Sequence, residues 1–201
     1  MALTLGTNCG FVSTAPSADP TDTNAVIDDR SWAVKHTSPA TAGRITQVGW
    51  WCDTASQEAN FELGLYSDAG AGEPEARLEV SATNAKGTGA GWKTATVAWN
   101  ISPSTVYWIA AQLDNVATAT STNIAGSGGG GSSVKLSQSA LPADWGAGDT
   151  NDADNMVAIY AVWAVSTSSP HGSQFYHGAS VAGLEKLVRD SNDFCEKYDA
   201  A

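Results

Sequence analysis

Val106-Tyr107-Trp108-Ile109-Ala110-Ala111-Gln112-Leu113 decides the reading of the fold. Its β-branched and aromatic side chains favour extended backbone, and both alternating sets are apolar. A short apolar run of this kind is what a central strand covered on both faces requires. Val157 to Val165 is a second such run. Elsewhere the period is two: Phe61, Leu63 and Leu65 alternate with Glu62, Gly64 and Tyr66, and Thr94, Thr96 and Ala98 alternate with Ala95, Val97 and Trp99. Shorter strands are predicted at Leu3–Leu5, Ser31–His36, Ile45–Cys52, Arg77–Val80 and Val134–Leu136. Turn signals separate them, at Ser67-Asp68-Ala69-Gly70, Lys86-Gly87, Ser102-Pro103 and Leu141-Pro142. No helical period longer than two turns is visible before residue 166. The expectation is an all-β protein, a jelly-roll-type antiparallel β-sandwich of eight to ten strands over residues 1–165, with long loops at 14–30 and 114–156.

The end of the chain has another composition. Residues 178–201 hold 8 of the 31 charged residues, and 166–178 read as a linker. From Ser180 the apolar residues Val181, Leu184, Leu187, Val188, Phe194, Cys195 and Tyr198 recur at spacings of three and four. Glu185 with Arg189 and Asp193 with Lys197 are i,i+4 pairs. An amphipathic C-terminal α-helix over 179–201 is predicted. Three roles stay open for it: packing back on the sandwich, docking a partner, or an appended segment.

Composition bounds the function. The chain has 201 residues, is 42% hydrophobic and has a net charge of −11, enough apolar content for a core and too acidic for nucleic acid or an anionic membrane surface. No apolar run approaches the ~18 residues of a membrane-spanning helix. Residues 1–10 carry no secretory signal pattern, and the three cysteines, Cys9, Cys52 and Cys195, lack metal-ligand spacing. They are expected as reduced thiols, with a Cys9–Cys52 disulfide as the alternative for an oxidising exterior.

No nucleophile elbow, zinc-binding H-E-x-x-H, P-loop or dinucleotide fingerprint is present, and no catalytic residue is assigned. The histidines are His36, His171 and His177, the last two in the linker. Glu58, Glu62, Glu73, Glu75 and Glu79 are the carboxylates available to a glycoside hydrolase, the lowest alternative. Asp149, Asn151, Asp152, Asp154 and Asn155 concentrate oxygen ligands in one segment and make calcium the candidate cofactor, although the EF-hand pattern fails; a solvated turn explains the same residues. Of eight tryptophans, Trp99, Trp108 and Trp163 fall in apolar strands and are assigned to the core. Trp92, Trp145 and one of Trp50 and Trp51 are the candidates for an exposed ring surface that stacks on sugars, against the simpler reading of packing under loops. Gly126 to Ser133 lacks the lysine and helix of a phosphate loop and reads as a flexible surface loop.

Ile45-Thr46-Gln47-Val48-Gly49-Trp50, Phe61-Glu62-Leu63-Gly64-Leu65-Tyr66-Ser67-Asp68, Gly91-Trp92-Lys93 and Thr105-Val106-Tyr107-Trp108-Ile109-Ala110-Ala111-Gln112-Leu113-Asp114 follow one another in an order that resembles β-sandwich domains of bacteriophage virion proteins and of some extracellular bacterial proteins. Those domains are jelly rolls similar to carbohydrate-binding modules. The resemblance covers residues 3–165. It implies a surface-displayed, non-enzymatic module of a decoration, fibre or tail component, assembled in the host cytoplasm and exposed on the virion. Its expected partners are itself, other virion proteins or a glycan. The alternative is a carbohydrate-binding module of a secreted, extracellular protein.

Overall fold

The structure is a computed structural model that describes residues 1–53, 56–126 and 129–165, together with Asp190–Ser191 and Cys195–Glu196. The chain divides into two units, Met1–Ser166 and Thr167–Ala201. The first is all-β and sandwich-like, and no helix occurs among the described residues. Its larger sheet contains β3 (Arg30–Thr37), β5 (Asn60–Asp68), β6 (Pro74–Val80), β7 (Asn84–Ala85), β9 (Val106–Leu113), β11 (Ser132–Leu136) and β12 (Thr150–Asp152). The order is β12-β11-β3-β9-β5-β6, with β7 also paired to β5. A four-stranded sheet follows the order β1 (Gly10–Val12), β14 (Ile159–Val165), β4 (Ala42–Cys52), β8 (Gly91–Asn100). A third contains β13 (Met156–Val157), β10 (Ser121–Ala125) and β2 (Thr23–Val26). All pairings are antiparallel except β1 with β14.

The run that opened the sequence reading is central. On one side β9 pairs with β3, from Arg30↔Leu113 to Thr37↔Val106, and on the other with β5, from Phe61↔Leu113 to Ser67↔Tyr107. One face of this sheet sends Val34, Ile109, Ala111, Leu63 and Leu65 into the main core, where Ile45, Val48, Trp50, Ile159 and Ala161 belong to the four-stranded sheet. The opposite face of β9 is covered as well, by a second cluster of Ala33, Tyr66, Trp108, Ala110, Leu141 and Trp145. Double burial explains why the run lacks alternation.

Several strands differ from the sequence reading. Leu3–Leu5 forms no strand, only an isolated bridge between Leu5 and Cys9, while Gly10–Val12 does pair. The predicted loop at 14–30 contains β2, and that at 114–156 contains β10, β12 and the start of β13 besides β11, which covers the predicted Val134–Leu136 strand. The short segments other than β11 carry too little apolar alternation to signal themselves. β2 and β10 are fixed by each other and by Asn123, whose Nδ2 donates to Asp22 O (3.0 Å) and Asn24 Oδ1 (2.8 Å). Cys9 is a free, buried thiol that donates to Val157 O at 2.9 Å, so it forms no disulfide with Cys52. The linker 166–178 and the helix face of Val181, Leu184, Leu187, Val188, Phe194 and Tyr198 lie outside the described residues. In that segment only Asp190–Ser191 (β15) and Cys195–Glu196 (β16) are described, and they pair antiparallel with each other.

Candidate functional site

The outer face of the larger sheet builds the site. Three rows of side chains cross β3, β9 and β5 there. Lys35, Trp108 and Tyr66 form one row, Ala33, Ala110 and Gly64 the next, and Ser31, Gln112 and Glu62 the third. The middle row is small, and this lets the chain segment 137–149 fold down on it. Leu141 reaches Gly64 so closely that an added Cβ would stand 2.8 Å from Leu141 Cδ1. Trp145 packs edge-on against Tyr66 at 5.1 Å between ring centroids, and its Nε1 donates to Ser133 Oγ at 2.9 Å. Tyr66 in turn donates its hydroxyl to Pro142 O at 2.6 Å. Burial pushes its phenol pKa above the ordinary value, so the hydroxyl keeps its proton.

The first row is left open at the end of Lys35 and Trp108. A cleft of about 500 Å³ remains there, walled by Ala71, Gly72, Gly129–Gly131 and Asn151–Ala153. Asp68 Oδ1 accepts the Trp108 indole N–H at 2.7 Å and lies 3.7 Å from Lys35 Nζ, which stands 5.6 Å from the Trp108 ring centroid. The lysine is the accessible member, with 34% of its side chain exposed against 15% for Asp68. Gly129 and Gly131 have φ of 72° and 82° on the rim, a region glycine enters without strain. Gly131 O accepts Lys35 N–H at 2.9 Å and fixes the rim to β3. The segment read as a flexible glycine loop therefore borders the cleft and leads into β11.

The four tryptophans proposed as an exposed stacking surface do not share one. Trp50 is fully buried in the main core, edge-on to Phe61 at 6.0 Å. Trp51, 8% exposed, packs on half-buried Trp92, which packs on Tyr160, on the outer face of the four-stranded sheet. Trp145 is fully buried on the other sheet. Each ring finds an aromatic neighbour nearby, and Trp92 and Trp145 also find acceptors for their N–H groups.

The acidic segment is likewise spent on backbone. Asp149 Oδ2 accepts Leu136 N–H (2.8 Å), and Asp152 Oδ1 accepts the N–H groups of Asp154 (2.9 Å) and Asn155 (3.2 Å). Asn151 donates to Glu73, across one wall of the cleft. Among the described residues no group of three or more His, Cys, Asp or Glu is gathered as for a metal ion. Of the five candidates, Asp149, Asn151 and Asp152 thus make side-chain contacts of the kind found in turns.

Several of the titratable groups make structural contacts. Half-buried His36 accepts Phe11 N–H on Nδ1 at 2.9 Å, and burial lowers its pKa. Burial pushes the Cys9 thiol up to about 12, which keeps it protonated, and raises Cys52 as well. Glu62 accepts from Leu141 N–H and Thr83, Glu58 from Gly87 N–H, and Glu75 from Ser67. Glu79 is exposed on β6. Lys35 and Asp68 were missed by sequence reasoning. Their signal was a lysine directly after Trp32-Ala33-Val34 and the acid closing Gly-Leu-Tyr-Ser-Asp. Comparison with family models, with curated proteins and with solved structures finds no match for this chain.

Proposed function

We propose that the chain is a non-enzymatic adhesive component of a phage-like particle (decoration, fibre or tail) that displays its β-sandwich outward and contacts a cell-surface polysaccharide through the Lys35–Trp108 cleft. The observation that carries this reading is the cleft itself. Its floor comes from adjacent strands of one sheet, and its lining offers the accessible Lys35 ammonium, the Asn151 amide and the Asp152 carboxylate. Such groups match the hydroxyl and acid groups of a polysaccharide, and a rigid floor limits the ordering cost of binding. Asp68 holds both Trp108 and Lys35 in place, which suits recognition better than proton transfer. The strand orders β1-β14-β4-β8 and β3-β9-β5-β6 support a jelly-roll assignment, the finer form of the sandwich. Self-association or other virion proteins are the proposed partners in the particle.

A second reading, a carbohydrate-binding module of a secreted protein, draws on the same cleft, but among the described residues there is no row of exposed rings such as insoluble polysaccharides favour. Binding of the 201-residue chain to a panel of bacterial surface polysaccharides tests the first reading. Saturable binding is expected, weakened about tenfold or more in Lys35→Ala, corresponding to at least one lost charge-assisted hydrogen bond. Absence of binding across the panel overturns it, and retention on structural polysaccharides such as cellulose favours the second.

A further inference from the structure

The two main sheets end in four edge strands, and three are protected. β1 and β12 have three residues each, and β6 opens with Pro74, carries Glu75 and Glu79, and has two register shifts against β5. Short length, proline, charge and irregularity are the usual guards against edge-to-edge pairing. The fourth edge, β8, is the least guarded, with one lysine near its start and one register shift against β4. It runs ten residues, Gly91-Trp92-Lys93-Thr94-Ala95-Thr96-Val97-Ala98-Trp99-Asn100, without proline or carboxylate. Its ladder to β4 uses one side, and no described residue pairs with the other. Thr94, Thr96, Ala98 and Asn100 are exposed on one face, while Ala95 and Trp99 are buried on the other.

We infer that β8 is a docking edge for β8 of a second copy of this chain, joining two four-stranded sheets into one continuous sheet across a two-fold axis. A strand paired antiparallel with itself is self-complementary, as a two-fold interface requires. Side-chain parity selects the register, because only pairings that keep the Ala95 and Trp99 faces of both copies on one side avoid exposing the core. Two such registers are centred on the strand. One places Thr96 opposite Thr96 and Lys93 opposite Trp99; the other places Ala95 opposite Ala95 and Lys93 opposite Val97. In neither does Lys93 face Lys93. Charge favours the same place. Two copies at net −11 repel over most of their surface, yet from Val80 to Leu113 the chain carries Lys86 and Lys93 and no carboxylate. The inference is independent of the adhesive reading. The cleft lies on the other sheet, so pairing through β8 leaves both clefts open.

The test is the mass of the 201-residue chain by sedimentation and light scattering over a concentration series, beside the double variant Thr96→Lys/Ala98→Lys. Both positions are exposed, so the variant is expected to fold, which circular dichroism and an unchanged melting temperature check. A dimer for the native chain and a monomer for the variant are expected. Hydrogen exchange on the native chain gives the answer without a variant: amides of Lys93–Asn100 are expected to slow as concentration rises through the dimerisation range. A monomer at every concentration, a trimer or ring, a dimer that survives the two lysines, or unchanged β8 exchange overturns the inference.

Discussion

His36 shows how one side chain can link a strand end to pH. Its Nδ1 accepts the Phe11 N–H, so the neutral ring carries its proton on Nε2. Gly10 makes the contact possible: its φ is 71°, and an added Cβ would stand 2.4 Å from His36 Nδ1. Burial lowers the His36 pKa below the ordinary imidazole value. The folded state therefore binds this proton less readily than the unfolded chain. The stabilisation is complete above the ordinary imidazole pKa and is lost as pH falls from there through the lowered folded value. Melting temperature should decline between about pH 7 and pH 5, and His36→Gln should reduce that slope. An identical slope in the variant would contradict the assignment. The histidine was visible in the sequence, but its partner Phe11 was not, because the Gly10–Val12 strand was not recognised.

At the scale of elements, the segment 137–149 is the informative case. Its sequence reads as a loop, and Trp145 within it as either an exposed ring or one packed under that loop. In the fold it is a cover for β9, and Trp145 is fully buried. The space for it comes from Ala33, Ala110 and Gly64, which lie on three strands far apart in sequence. No local pattern holds that information; the single hint was the missing alternation of Val106–Leu113, which demanded a cover on both faces. Trp145→Ala should lower unfolding free energy by about 3–5 kcal/mol, the usual range for a truncated core aromatic. Denaturant unfolding checks this, and a loss under about 1 kcal/mol would mean that the segment is not docked. The long strands β3, β4, β5, β8, β9 and β14 were legible because each buries an apolar face over many residues. β2, β10 and β12 were not, since three to five residues, more than half of them polar or small, signal nothing until a partner strand binds them.

For the whole molecule, the sequence indicated the architecture and left the site unread. Apolar alternation and the double-sided run mark residues 1–165 as all-β with packed sheets. The cleft arises from register: Lys35, Trp108 and Asp68 come from β3, β9 and β5 and meet only because these strands lie side by side. The aromatic count pointed toward a stacking surface, while the rings are mostly used to fill the two cores. The candidate site thus moves from exposed tryptophans to a polar cleft whose one indole N–H is held by Asp68. That indole is a reporter. Nitrogen-15 NMR of the 201-residue chain with a polysaccharide it retains should shift the Trp108 indole N–H and the Asn151 side-chain amide and leave the Trp92 indole unmoved. Shifts centred on Trp92, or none at Trp108, would contradict the account.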